Sequence, residues 1–275
     1  MQSERILYQV AQLPIFQNRV YEIELEAKDC PKGDVCLVEN LDTGLVYNAA
    51  FDSKLMVYDA NYQNEQAFSP MFREHLLNVV AIIKTTIGSK GIVEVGCGKG
   101  TFLEMLMAAE VDVIGFDPTY EGSNPRIKRQ YFDPSVDIEA KGLLLRHVLE
   151  HIQDPFGFLQ SMRDANGGGG LVYIEVPCFD WICNRRAWFD IFYEHVNYFR
   201  LSDFQRMFTR ILMSGHVFGG QYIFIVADLC SLVSPQCRSS DRVEFPQNFA
   251  RAMDTRLGGQ QGAAQPKTAV WGASS

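Results

Sequence analysis

Residues 92–100 read Ile-Val-Glu-Val-Gly-Cys-Gly-Lys-Gly, an apolar strand running into a turn with glycine at 96, 98 and 100. Glycine adopts left-handed backbone conformations at little steric cost and lets the main chain approach a ligand closely. Thr101, Phe102, Leu103, Met105, Leu106 and Met107 continue with helical apolar content, so the turn opens a helix whose first N–H groups lack intrahelical partners. The spacing is not the G-x-G-x-x-G of dinucleotide sites, because position 101 is threonine. Glu94, two residues before the first glycine, would repel a pyrophosphate and suits a ligand that carries positive charge. A plain structural strand-to-helix turn would use the same glycines. A second apolar run over residues 111–117 ends in Asp117, 21 positions after Gly96. In a β-α-β unit that carboxylate reaches the tip of the neighbouring strand, where it can accept ribose hydroxyls. An Asp-Pro pair is equally the residue type of a strand-ending turn.

The other dense chemistry lies in residues 142–155, Gly-Leu-Leu-Leu-Arg-His-Val-Leu-Glu-His-Ile-Gln-Asp-Pro, an apolar strand whose exit carries Arg146, His147, Glu150 and His151. Ligands of open α/β sheets bind outside the carboxyl ends of the strands, so this exit should face the same crevice as the glycine turn. His147 and His151 are four apart and would share a helical face. The carboxylate pattern of a helical zinc site is missing, however, and no metal is expected. Helix capping or core hydrogen bonding is the ordinary use of each of these side chains.

These residues need a scaffold to hold them. Ser69-Pro70 reads as an N-cap with proline in the first turn, and Phe72, Leu76, Leu77, Val80 and Ile83 recur at helical spacing to about residue 87. Strands are predicted at 91–96, 112–117, 142–146 and 171–176, and helices at 100–109 and 155–164, the latter capped by Asp154-Pro155. That alternation predicts an α/β, Rossmann-like, mostly parallel sheet with helices on both faces. Residues 1–68 read as a small strand-rich N-terminal region, with strand-like segments at 20–25 and 35–38. The expected organisation is 1–68, a main domain at 69–256, and a linker over 257–275 that enters a new strand and glycine turn. The end of the chain thus reads either as the start of a truncated further domain or as a strand that folds back.

The chain of 275 residues is 47% hydrophobic and 21% charged, with a net charge of −8. That acidity argues against nucleic acid as the main partner and points to small molecules. No apolar run reaches membrane-spanning length and the N-terminus lacks a secretory pattern, so no membrane partner and a cytoplasmic location are expected. The seven cysteines, at 30, 36, 97, 178, 183, 230 and 237, contain no C-x-x-C pair and read as free thiols.

Taken together, Glu94-x-Gly96-x-Gly98-x-Gly100 with Asp117 resembles the class I S-adenosylmethionine-dependent methyltransferases. Residues 146–155, Tyr173-Ile-Glu-Val-Pro177, residues 188–199 with Glu194-His195-x-x-Tyr198-Phe199, Gly219-Gly-Gln-Tyr222 and Trp271-Gly-Ala273 are similar to a group related to sugar-nucleotide C-methyltransferases. The likeness spans roughly residues 40–275, and its last motif favours truncation. It implies methyl transfer to a small-molecule acceptor, including C-methylation of a keto-sugar nucleotide; O-methylation of a small metabolite and a non-catalytic cofactor-binding fragment are the alternatives. It also implies that Glu94, Gly96, Cys97, Gly98, Gly100, Asp117, Arg146 and His147 line the S-adenosylmethionine site. Tyr58 and Tyr62 are candidates for an aromatic lid. His195 is the implied general base, with Glu194 orienting it and His151 and Tyr193 lining the acceptor pocket, unless this stretch is simply a packing loop. Two departures stand out. The group's N-terminal zinc turn is replaced by Asn40-Leu-Asp-Thr-Gly44, and Phe192 stands where a tyrosine is common. A nicotinamide-dependent oxidoreductase would share the fold, but Thr101 and Glu94 count against it.

Overall fold

The apolar runs that read as strands become the middle of a seven-stranded sheet, buried on both faces as a central parallel strand must be. The computed structural model describes residues 3–17, 19–56, 69–136 and 138–249. Tyr58, Tyr62, the linker and the final glycine turn therefore lie outside the described residues. In chain order the elements are β1 (Glu4–Pro14), α1 (Glu24–Lys28), β2 (Lys32–Asn40), β3 (Val46–Asn48), α2 (Pro70–Thr86), β4 (Ile92–Val95), α3 (Thr101–Ala108), β5 (Val113–Phe116) and β6 (Ile127–Lys128). They continue with β7 (Gly142–Arg146), α4 (Pro155–Ala165), β8 (Leu171–Pro177), α5 (Phe179–Arg185), β9 (Asn197–Tyr198), α6 (Leu201–Met207), β10 (Ile211–Val217) and β11 (Tyr222–Asp228).

The large sheet has the order β10-β11-β8-β7-β4-β5-β6. Its run from β8 to β6 is parallel, and β11 joins β8 antiparallel, with β10 antiparallel beyond it. The crossovers from β4 to β5 and from β7 to β8 carry α3 and α4 to opposite faces. Leu159 and Met162 of α4 and Phe204 and Met207 of α6 pack with Val93, Leu143, Leu145 and Ile174. Leu76, Val79 and Ile83 of α2 and Leu103 and Leu106 of α3 pack with Ile92, Val113, Leu144 and Tyr173. The anticipated caps form: Ser69 Oγ accepts the Phe72 N–H, and Asp154 Oδ1 accepts the Gly157 N–H at 2.9 Å. The fold is thus the Rossmann-like α/β arrangement that the alternation predicts.

A second, antiparallel sheet has the order β1-β2-β3-β9. Its fourth strand is contributed from residues 197–198, so the N-terminal region is completed by the chain that follows α5. One expected strand is corrected. Residues 20–25 enter helix α1, because Val20, Ile23 and Leu25 are all exposed and have no sheet to bury them. Glu24 and Glu26 in its first turn and Lys28 in its last suit the helix dipole. Among the described residues no helix is long and apolar enough to cross a membrane. All seven cysteines are free thiols.

Candidate functional site

The turn after β4 is built by backbone that side chains disfavour: Gly96, Gly98 and Gly100 have φ of 73°, 53° and 85°. A Cβ on Gly96 would lie 2.6 Å from Val148 Cγ2, so the glycine turn and the loop after β7 are in direct contact. Gly100, in the left-handed region, caps α3 with no side-chain bond. Glu94 is buried, and its Oε2 has no hydrogen-bond partner. Burial pushes its carboxyl up to about 7; Arg146 draws it down and Asp117 raises it further. Asp117 holds the turn from the next strand: Oδ2 accepts the Gly98 N–H at 2.8 Å, while Oδ1 accepts the N–H (2.8 Å) and hydroxyl (2.7 Å) of Thr119. These three bonds use three of its about four acceptor directions. Cys97 is buried inside the turn, and burial raises its thiol above the normal range, so it fills space there.

Arg146 and His147 at the end of β7 converge on a residue that the motif reading did not single out. Glu175, on β8, is fully buried. It receives His75 Nε2 at 3.0 Å, Arg146 Nη2 at 3.1 Å and the Tyr173 hydroxyl at 2.6 Å. His147 Nε2 sits 3.2 Å from the same carboxylate, an ion-pair contact rather than an aligned hydrogen bond. Burial alone would raise the Glu175 carboxyl, but Arg146, His147 and His75 hold it well below the usual range. Burial likewise works against a charged His147, yet its bond to Glu150 and its ion pair with Glu175 raise it to about 9. His147 also has φ of 50°, in the left-handed region where a non-glycine residue is uncommon and where functional sites concentrate. The Arg146 guanidinium lies over the Phe102 ring, 4.4 Å from its centre, which ties the hub to the helix that the glycine turn opens. The available sequence signal was a carboxylate in the middle of an apolar strand, Tyr173-Ile-Glu-Val, facing a histidine on the buried side of α2.

The acceptor-side residues divide into two groups. His151 and His195 come together edge to face, ring centres 4.9 Å apart, with Phe192 3.9 Å from His195 on its other side. His195 is buried, and burial together with the neighbouring His151 and His147 holds its imidazole well below the normal histidine value. Glu150, also buried, places Oε1 3.2 Å from His147 Nδ1 and leaves Oε2 unpartnered. Glu194 and Tyr193 point elsewhere. The Glu194 carboxylate accepts the Gln17 N–H at 3.0 Å, and it is the Glu194 carbonyl that binds a histidine, His151 Nδ1 at 2.9 Å. The Tyr193 phenol is packed against Phe51 and bonded to the backbone of Asp52, within the N-terminal sheet's core.

The chemistry of the donor side is that of a cationic adenosyl ligand: a buried carboxylate oxygen without a partner, backbone that approaches closely, and a carboxylate on the adjacent strand. Comparison with known proteins agrees. A family profile described as "Methyltransferase domain" matches residues 64–211. No curated protein matches the chain. Similar solved structures include the magnesium protoporphyrin IX methyltransferase of Synechocystis PCC 6803 with S-adenosylhomocysteine bound (15% identity, 57% of this chain and 82% of that one, TM-score 0.40). The PH0226 protein of Pyrococcus horikoshii OT3 is another (11% identity, 66% and 100%, TM-score 0.45). The mitomycin 7-O-methyltransferase MmcR is a third (14% identity, 58% and 54%, TM-score 0.43). Since the family match takes in more than half of its residues, the chain belongs to the methyltransferase-domain family and is an S-adenosylmethionine-dependent methyltransferase.

Proposed function

We propose that the methyl acceptor is a small oxygenated metabolite held between the glycine turn and the His151–His195 pair. The observation that supports this most strongly is the abutment of Gly96 on Val148, which brings donor and acceptor loops together at the carboxyl ends of adjacent strands. On this reading Glu94 Oε2 accepts the ammonium of S-adenosylmethionine, the backbone at Gly96, Cys97, Gly98 and Gly100 runs beside its amino-acid part, and the free direction of Asp117 accepts a ribose hydroxyl. When bound, S-adenosylmethionine supplies a methyl group on a sulfonium, whose breaking bond leaves its electron pair on sulfur. Arg146 and His147 act from beneath: their charges are matched by Glu175, so they fix the floor of the site.

The acceptor must lose a proton to become nucleophilic. The His195 ring, held unprotonated by its burial, can take that proton, and His151, fixed through Nδ1 by the Glu194 carbonyl, packs against it. The motif resemblance supports a keto-sugar nucleotide, with the proton leaving the carbon next to the ketone. Holding the two reactants in line supplies up to about 7–11 kcal/mol of barrier reduction in well-oriented systems. Replacing His195 with alanine is expected to abolish turnover on keto-sugar nucleotides while calorimetry shows S-adenosylhomocysteine binding changed by no more than about twofold, since a group acting on the acceptor leaves donor affinity alone. Retained turnover would refute the assignment.

A further inference from the structure

We propose that Glu150, His151 and His195 form a binding site for one divalent cation, which would hold the oxygen atom of the acceptor. One ligand atom from each residue lies within 4.8 Å of the others. Ligands at the usual 2.0–2.2 Å in a tetrahedral array around one ion are about 3.3–3.6 Å apart, so the set closes with shifts of up to about one ångström. His151 Nδ1 is 2.9 Å from the Glu194 carbonyl oxygen, which only accepts, so Nδ1 carries the proton and Nε2 keeps its lone pair. Anchoring the far nitrogen of a histidine on a carbonyl is the usual outer support of a metal ligand. Glu150 Oε2 is buried without a hydrogen-bond partner, and such an oxygen in a folded protein requires an explanation. The His195 ring meets His151 edge to face and is buried beside it.

Two imidazoles and one carboxylate suit a first-row transition ion rather than calcium or magnesium, and they leave coordination positions open for substrate. That deepens the proposed function, on which it rests for its use though not for its existence. A ketone oxygen coordinated to the ion makes the adjacent C–H more acidic, and with the His195 lone pair given to the ion that proton leaves to water. The carbon's electron pair then forms the new C–C bond as the S–C bond breaks and its pair stays on sulfur. The acceptor class therefore stays a keto-sugar nucleotide, and the product carries a new methyl group on carbon.

The test is titration of the full chain with Mn(II), followed by electron paramagnetic resonance and calorimetry, because this ion favours nitrogen and oxygen over the seven free thiols. One Mn(II) per chain is expected, weakened about tenfold or more in Glu150→Gln and in His195→Gln, as loss of a direct ligand costs at least what loss of its outer support does. S-adenosylhomocysteine titration of the same samples verifies that each variant is folded. Wild-type protein that takes up no Mn(II), or variants that bind it as tightly, would overturn the site. Absence of S-adenosylhomocysteine binding in the wild type would overturn the functional reading instead, so the two failures are told apart.

Discussion

Replacing Glu175 with glutamine tests whether the buried hub holds the floor of the site. The substitution preserves shape and nearly all hydrogen bonding. The amide oxygen can keep His75 and Arg146 where Oε1 now takes them at 3.0 and 3.1 Å, and the amide nitrogen can donate to the Tyr173 hydroxyl, which both donates and accepts. Only the charge is lost. At 3.1 Å the attraction between Arg146 and Glu175 is roughly 5 kcal/mol at an effective dielectric constant of about 20. Removing one partner of a buried pair typically costs about 3–5 kcal/mol, because the other charge stays behind without compensation. For a domain of this size each kcal/mol moves Tm by about 2–4 °C, so a fall of roughly 6–20 °C is expected by scanning calorimetry. Glu175 folds with its carboxyl well below the ordinary 4.5, so its stabilisation is complete above pH 4.5 and is lost as the pH falls through the folded value. The variant should therefore be less stable at neutral pH and show a flatter acid limb. A glutamine variant within about 2 °C of the wild-type Tm, less than one kcal/mol on this scale, would refute the reasoning.

Glu94, pushed up to about 7, should give S-adenosylhomocysteine an affinity that rises with pH and levels off above that value, because the ammonium favours the ionised carboxylate. Glu94→Gln should flatten that profile and weaken binding about 10- to 100-fold, the worth of one charged hydrogen bond; calorimetry across pH 6–8.5, a range about its value, checks both. Tyr193→Phe removes the phenol bond to the Asp52 N–H, 2.7 Å, and should lower Tm by about 2–4 °C with kcat unchanged. A large fall in kcat at unchanged Tm would mean instead that the phenol serves the acceptor.

The parallel core was legible because strands buried on both faces must be unbroken apolar runs, and residues 92–95, 113–116, 142–146 and 171–177 are such runs, Glu94, Arg146 and Glu175 apart. The glycine turn and the Ser69 and Asp154 caps were legible because each is a local conformational demand met by one or two residue types. The Glu175 hub was not, since His75 is 100 positions away and Arg146 29, and neither period nor propensity carries that pairing. Strand β1 was equally silent: its residues are exposed or only partly buried, so no apolar alternation marks it.

The loop that holds His195 shows what local motifs leave out. The Val196 N–H donates to the Glu150 carbonyl at 2.8 Å, and the Val196 carbonyl accepts the Asn48 N–H at 2.8 Å. Tyr198 then pairs with Val46 in the second sheet. The peptide beside His195 is thus fastened on one side to the loop after β7 and on the other to the N-terminal sheet. Glu194 takes part in the same clamp, with its carboxylate on Gln17 and its carbonyl on His151. A Glu-His pair read as a catalytic unit becomes, in three dimensions, a histidine packed on His151 and a glutamate that ties the chain around it to Gln17 and His151. The N-terminal region therefore acts by position: its bonds to residues 194–198 help fix the distance between His195 and His151, on which the proposed cation binding depends.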